Sequence, residues 1–181
     1  MKQMPNLHLL LVGEEDTTDP ISSGAREWLR HDTSLHWTGG VATEDMPAIY
    51  AATDLCVVPS FREGLSQVAL ESGAMGVPVV ASKVSGLVNS VEDGVTGLLV
   101  APAEPAILAD ALLRLAAQPA LCREFGRAAI EHVRTKFSDD RVNNLWMAEY
   151  RSLVADATEG SVDESPLTVS SPAALRESNL P

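Results

Sequence analysis

Cysteine is scarce in this chain: two in 181 residues, Cys56 and Cys122. They lie far apart and match no metal-ligand spacing. Two thiols cannot form the disulfide framework of a domain this size, so both are expected to be buried free cysteines in a reducing compartment. Long hydrophobic runs are missing as well. No stretch of about 18 apolar residues occurs, which excludes a spanning helix. The apolar run after Asn6 is too short for a secretory leader, so the chain reads as cytoplasmic. Basic residues are few, 13 Lys and Arg against 25 Asp and Glu, for a formal net charge of −12. A chain this acidic offers no face for nucleic acid, because a polyanion needs clustered cations. The histidines His8, His31, His36 and His132 show no ligand spacing, and no catalytic triad can be argued from residue order alone.

What is present is a pattern of short apolar runs alternating with helical stretches. Leu7 to Val12, Leu35 to Trp37, Leu55 to Val58, Pro78 to Ala81 and Gly97 to Val100 read as strands. Between them lie helical patterns at Ile21 to Arg30, after a Thr43 N-cap, and at Leu65 to Met75. Nearly continuous apolar strands separated by helices predict an α/β fold: a doubly wound, Rossmann-like parallel sheet covered on both faces. From Glu104 the pattern changes to successive helices. One apolar stripe of the last, Val142, Leu145, Trp146, Tyr150 and Leu153, is expected to face a core. After Asp156 the composition turns to Ser, Thr, Pro, Glu and Ala without period. The expected organisation is a domain over 1–156 and a disordered acidic tail over 157–181.

The densest signal for chemistry runs from Pro59 to Ala81, read as strand, loop, helix, strand. Loops at strand C-termini line the ligand crevice of a doubly wound sheet. The amides of Gly64, Leu65 and Ser66 are expected at the helix N-terminus, where unpaired N–H groups and the helix dipole receive an anion without any net positive charge. Glu63 and Glu71 stand eight residues apart, about 10 Å along a helix. That is too far for the paired carboxylates of a retaining glycosidase. It suits two hydroxyl-rich groups flanking a diphosphate. The bland alternatives are a solvated loop acid for Glu63 and a surface helix acid for Glu71. Lys83, just after a strand, faces the same rim, and Arg62 is a further candidate contact.

The segment Glu63-Gly-Leu-Ser-Gln-Val-Ala-Leu-Glu71 resembles the E-x7-E motif of retaining GT-B glycosyltransferases, family 4 or group 1. Its neighbours agree: Asp54 to Ser60 before it, Gly76 to Ser82 after it, and Ser85-Gly86 through Val91-Glu-Asp-Gly-Val-Thr-Gly-Leu-Leu-Val100. Leu9 to Gly13 and Trp37 to Val41 match earlier strands, so the resemblance spans roughly residues 5–155. It implies the C-terminal, nucleotide-sugar-binding half of a GT-B architecture. Glu63 would contact hydroxyls of the transferred sugar as the catalytic residue, and Glu71 would hold the ribose. Gly64, Leu65 and Ser66 would meet the diphosphate, with Lys83 as a supporting cation, and the Gly40-Val41 loop would lie beside the base. The donor is then the only small molecule implied, with no metal and no other cofactor, because helix dipoles and basic side chains stabilise the leaving diphosphate.

The chain departs from the family pattern in three places. The family's upstream Arg and Lys have no counterpart, and Lys2 does not fit their place. The acceptor-binding half lies outside the sequence, so any peripheral membrane contact would come only through it. Asn89 stands where the family usually has Glu. Two readings follow: the donor half of a glycosyltransferase that works with a separate or lost N-terminal half, or a donor-binding or degenerate module without turnover. By either reading the chain alone has little or no activity, and the surface meant for the missing half invites self-association. A nucleotide-sugar epimerase domain shares the architecture, but the E-x7-E frame argues against it.

Overall fold

The computed structural model describes Met4 and residues 6–159. They belong to two compact units, one ending at Phe137 and the other starting at Ser138. The first unit carries all five strands: β1 (Leu9–Leu11), β2 (Leu35–Trp37), β3 (Cys56–Val58), β4 (Val79–Ser82) and β5 (Gly97–Val100). Its helices are α1 (Ser23–His31), α2 (Met46–Ala51), α3 (Gln67–Ala74), α4 (Ser85–Ser90), α5 (Pro105–Ala116) and α6 (Pro119–Lys136). The second unit contains α7, Asp139–Glu159.

Every strand pairing is parallel, as near-continuous apolar strands joined by helices require. The strands form two sheets where one was expected: β1-β2, and β3-β4-β5 with β4 in the middle. All four residues of β4 are buried. Its pleat sends Val79 and Ala81 into a cluster with Val58, Ala69, Leu87 and Val91, beneath α3 and α4. Val80 points the other way, into a cluster with Leu98, Val100, Leu115 and Phe125 under α5 and α6. Helices thus cover both faces of this sheet, the Rossmann-like arrangement.

Helix α3 is fixed from behind. A Cβ at Gly126 of α6 would lie 2.0 Å from the carbonyl oxygen of Gly76, so the two backbones touch there. A Cβ at Gly73 would lie 3.1 Å from Val133. Gly76 itself ends the helix at φ +75°, a left-handed conformation that glycine adopts freely.

Three local expectations are corrected. Thr43 caps no helix; it opens a 3-10 turn, Thr43–Asp45, whose preceding residue Ala42 offers no side-chain cap. Helix α3 begins at Gln67 and not near Gly64 or Leu65, because Ser66 is its N-cap and its hydroxyl accepts from Ala69 N–H. The apolar stripe of α7 is not core: Leu145, Trp146, Tyr150 and Leu153 are each more than half exposed. Trp146 and Tyr150 stack on each other at 5.9 Å instead. Both cysteines are free and partly buried. The helix α7 continues through Glu159, and the remainder of the tail expected over 157–181 lies outside the described residues. Among the described residues no single helix is long and apolar enough to cross a membrane.

Candidate functional site

The expected site residues fall at strand C-termini. β3 ends at Val58 and feeds the loop that carries Glu63 and Gly64 into α3. β4 ends at Ser82, followed at once by Lys83. β2 ends at Trp37 and leads to Gly40 and Val41.

Glu63 is half-buried and held in place, its carboxylate accepting from the Ser60 hydroxyl at 2.8 Å. The loop it sits on is pinned by Gly86 at the start of α4. A Cβ there would stand 2.2 Å from the Gly64 carbonyl oxygen and 2.5 Å from that of Glu63. Only glycine permits that approach. Phe61 and Arg62, next to it, are exposed.

Glu71 lies on the outward, solvent-exposed face of α3, while Ala69, Leu70, Ser72 and Gly73 are buried. Its carboxylate accepts from the Tyr50 hydroxyl at 3.0 Å. Tyr50 is 5% exposed, and burial, reinforced by that carboxylate, holds its phenol protonated well above the ordinary range. The phenol therefore acts as a fixed donor that orients Glu71.

Gly64 and Leu65 are exposed in the bend before α3, whereas Ser66 is 3% exposed and spends its hydroxyl on the cap. The first amides of the helix proper belong to Gln67 and Val68, next to the expected trio. Lys83 is exposed, with its backbone N–H donating to Val100 O at 2.7 Å. The Gly40-Val41 loop is organised by Glu14, whose carboxylate accepts from Gly40 N–H at 2.8 Å. Trp37 braces the same loop, its indole N–H donating to Gly13 O at 2.7 Å.

A depression of about 510 Å³ lies beside the motif, lined by Leu65, Val88, Asn89, Glu92, His132, Lys136 and Phe137. Of the expected residues it includes Leu65 alone. His8 and His36 meet across β1 and β2, ring nitrogens 3.1 Å apart, as exposed edge residues. Among the described residues no cluster of three or more His, Cys, Asp or Glu is arranged to hold a metal.

Sequence reasoning missed Tyr50, Ser60 and the packing role of Gly86. Helical periodicity places Tyr50 inward but does not show that its hydroxyl reaches a carboxylate 21 residues on. Ser60, three residues before Glu63, was the accessible clue.

Two parallel sheets flanked by helices, with an E-x7-E segment running from a loop into a helix, define a Rossmann-like unit of the GT-B glycosyltransferase type. The sequence model described as glycosyl transferases group 1 matches residues 1–118, and the chain belongs to that family. The D-inositol 3-phosphate glycosyltransferase of Salinispora arenicola is 42% identical over 112 residues, which are 62% of this chain and 25% of that protein. The chain thus spans about a quarter of the length of such curated relatives. Sucrose-phosphate synthase from Thermosynechococcus elongatus superposes with a TM-score of 0.74 at 35% identity, over 85% of this chain and 40% of that one. Anabaena HepE, solved in complex with UDP, gives 0.75 at 25% identity, over 82% and 42%.

Proposed function

We propose that this chain is the donor-binding half of a retaining glycosyltransferase. It holds a nucleotide diphosphate sugar, of the UDP type, for transfer to an acceptor hydroxyl. One observation carries the reading: Glu63 and Glu71 bracket the start of α3, and each carboxylate is fixed by its own hydroxyl donor, Ser60 and Tyr50. A carboxylate held by one donor keeps lone pairs for others. Glu63 then accepts from hydroxyls of the transferred sugar, and Glu71 from the ribose. Between them the diphosphate meets the amides of Gly64, Leu65 and Ser66 and those of Gln67 and Val68, at the positive end of the helix dipole. Lys83 adds a cation at the rim, and the Gly40-Val41 loop meets the base. Charge building on the leaving diphosphate is stabilised by these fixed groups without a metal. Complexes of HepE with UDP support the nucleotide assignment.

Acceptor binding belongs to sequence beyond these residues, so the chain alone binds donor with little or no turnover. Calorimetric titration of UDP tests the site. The wild type is expected to bind, and Glu71→Ala to bind at least about tenfold more weakly, the effect of losing a charged hydrogen bond of about 1.4 kcal/mol. Equal affinity in the two proteins sinks the assignment.

A further inference from the structure

His8 and His36 stand 28 residues apart, so their spacing in the sequence gives no sign of a pair. The fold brings them together. Alternation along the strand puts His8 on the side of Leu10, and Leu10 pairs with His36 across the parallel ladder. His8 Nδ1 and His36 Nε2 come within 3.1 Å, with the two rings 22° from parallel. Both side chains are exposed. A hydrogen bond between two neutral imidazoles uses one ring N–H and one bare ring nitrogen. When that proton moves to the far nitrogen of its own ring, two lone pairs are left side by side. Zn²⁺ binds an imidazole nitrogen at about 2.05 Å, and two such bonds spanning 3.1 Å enclose an angle of about 100°. That angle lies between the octahedral and the tetrahedral values, so a metal ion fits the pair without any movement of the strands.

We propose that His8 and His36 chelate one first-row divalent ion, Zn²⁺, Ni²⁺ or Cu²⁺, each giving one ring nitrogen, with water in the remaining positions. Imidazole suits those ions, whereas Mg²⁺ and Ca²⁺ take oxygen donors. Exposed rings turn readily to aim both lone pairs at the ion, because the ring torsion of histidine is broad. The net charge of −12 draws cations toward the chain. The site is complete within β1, β2 and the residue before β1. Leu9 N–H donates to Ser34 O and Thr38 N–H to Leu11 O, so these strands hold each other without any other segment. The ion ties residue 8 to residue 36, and the Gly13–Gly39 bridge lies beyond the other end of the same two strands. It therefore acts as a clip on the smaller sheet. The remaining histidines offer no such pair. His31 lies on α1 with Nε2 3.8 Å from Glu27, and His132 is buried with Nδ1 3.5 Å from Glu92.

The test needs no nucleotide, so it stands or falls apart from the donor reading. The full chain, free of any affinity tag, is titrated with Zn²⁺ by calorimetry and by NMR of the histidine ring protons. One ion is expected per chain, shifting the signals of His8 and His36 and leaving those of His31 and His132 in place. His8→Gln and His36→Gln are each expected to weaken binding by about tenfold or more, since even a supporting partner of a metal ligand is worth that much. His31→Gln, at another exposed histidine, is expected to bind as the wild type does. Zn²⁺ is expected to raise the melting temperature of the wild type and of neither pair variant, and Mg²⁺ to raise none. The ring-proton shifts of the wild type decide even where a variant fails to fold. Four outcomes overturn the proposal: no Zn²⁺ binding by the wild type, equal affinity in the wild type and both pair variants, loss of binding in His31→Gln, or one ion shared by two chains, which marks bridging between copies.

Discussion

At Gly86 the molecule tolerates no side chain, because the carbonyls of Glu63 and Gly64 lie where a Cβ would go. Gly86→Ala must push the motif loop away from α4. It is expected to cost about 1–3 kcal/mol of stability, as overpacking does, and to weaken UDP binding as well. A thermal melt and a titration check this together, and unchanged values in both would show that the loop is not held there. The sequence displays Ser85-Gly86 as a turn signal. The structure makes Gly86 a contact point, without positive φ. That distinction depends on a neighbour 22 residues away, and no local pattern carries it. Tyr50 is the same kind of case. By contrast Glu63, Glu71 and Lys83 were legible, because their place after a strand or along a helix is local. Cys56 offers a pH-dependent check on burial. Desolvation raises its thiol above the ordinary value. The thiolate therefore forms only at higher pH, and iodoacetamide at pH 8 is expected to modify native Cys56 much more slowly than the unfolded chain. Equal rates by mass spectrometry would contradict the packing around β3.

Among elements, the strands were the most readable part. Leu35–Trp37 and Gly97–Val100 fall where the apolar runs placed them, and the other three differ at their ends only. Composition fixes a strand buried on both faces almost by itself. Helix starts were less readable, since Ser66 and Thr43 are both favoured cap types and only Ser66 has a following N–H in reach. The stripe of α7 has the periodicity of a core helix but not the burial. Periodicity records what a face is suited to bury, not what it touches in this chain. Leu115 and Trp146 separate the two situations. Leu115 is fully buried between β4, β5 and α6, so Leu115→Ala is expected to cost about 2–5 kcal/mol. Trp146 is 57% exposed, and Trp146→Ala is expected to change the unfolding midpoint by less than about 1 kcal/mol equivalent. A large loss at Trp146 would mean that the α7 face is covered in solution, as self-association would cover it.

For the whole molecule, the net charge of −12 bears on how a diphosphate is held. In the proposed site an acidic chain would receive that anion through backbone amides and one lysine at the rim, without a metal. UDP affinity is accordingly expected to be the same with EDTA as with added Mg²⁺. A tenfold gain with Mg²⁺ would replace the helix terminus by a cation as the main partner. The Rossmann-like plan was legible from the alternation of strands and helices. The division into two sheets was not, because the sequence pattern reports how a strand is covered and leaves open which strand lies beside it.

The contact between Gly126 and Gly76 also bears on where this protein can be cut. Helix α6 is the back wall of α3, joined to it without a side chain between them. The match to the family model ends at residue 118, one residue before α6 begins. A fragment trimmed to that boundary would keep every proposed donor contact in its sequence and lose the surface that holds their helix in position. The smallest piece able to present the motif as seen here reaches Lys136.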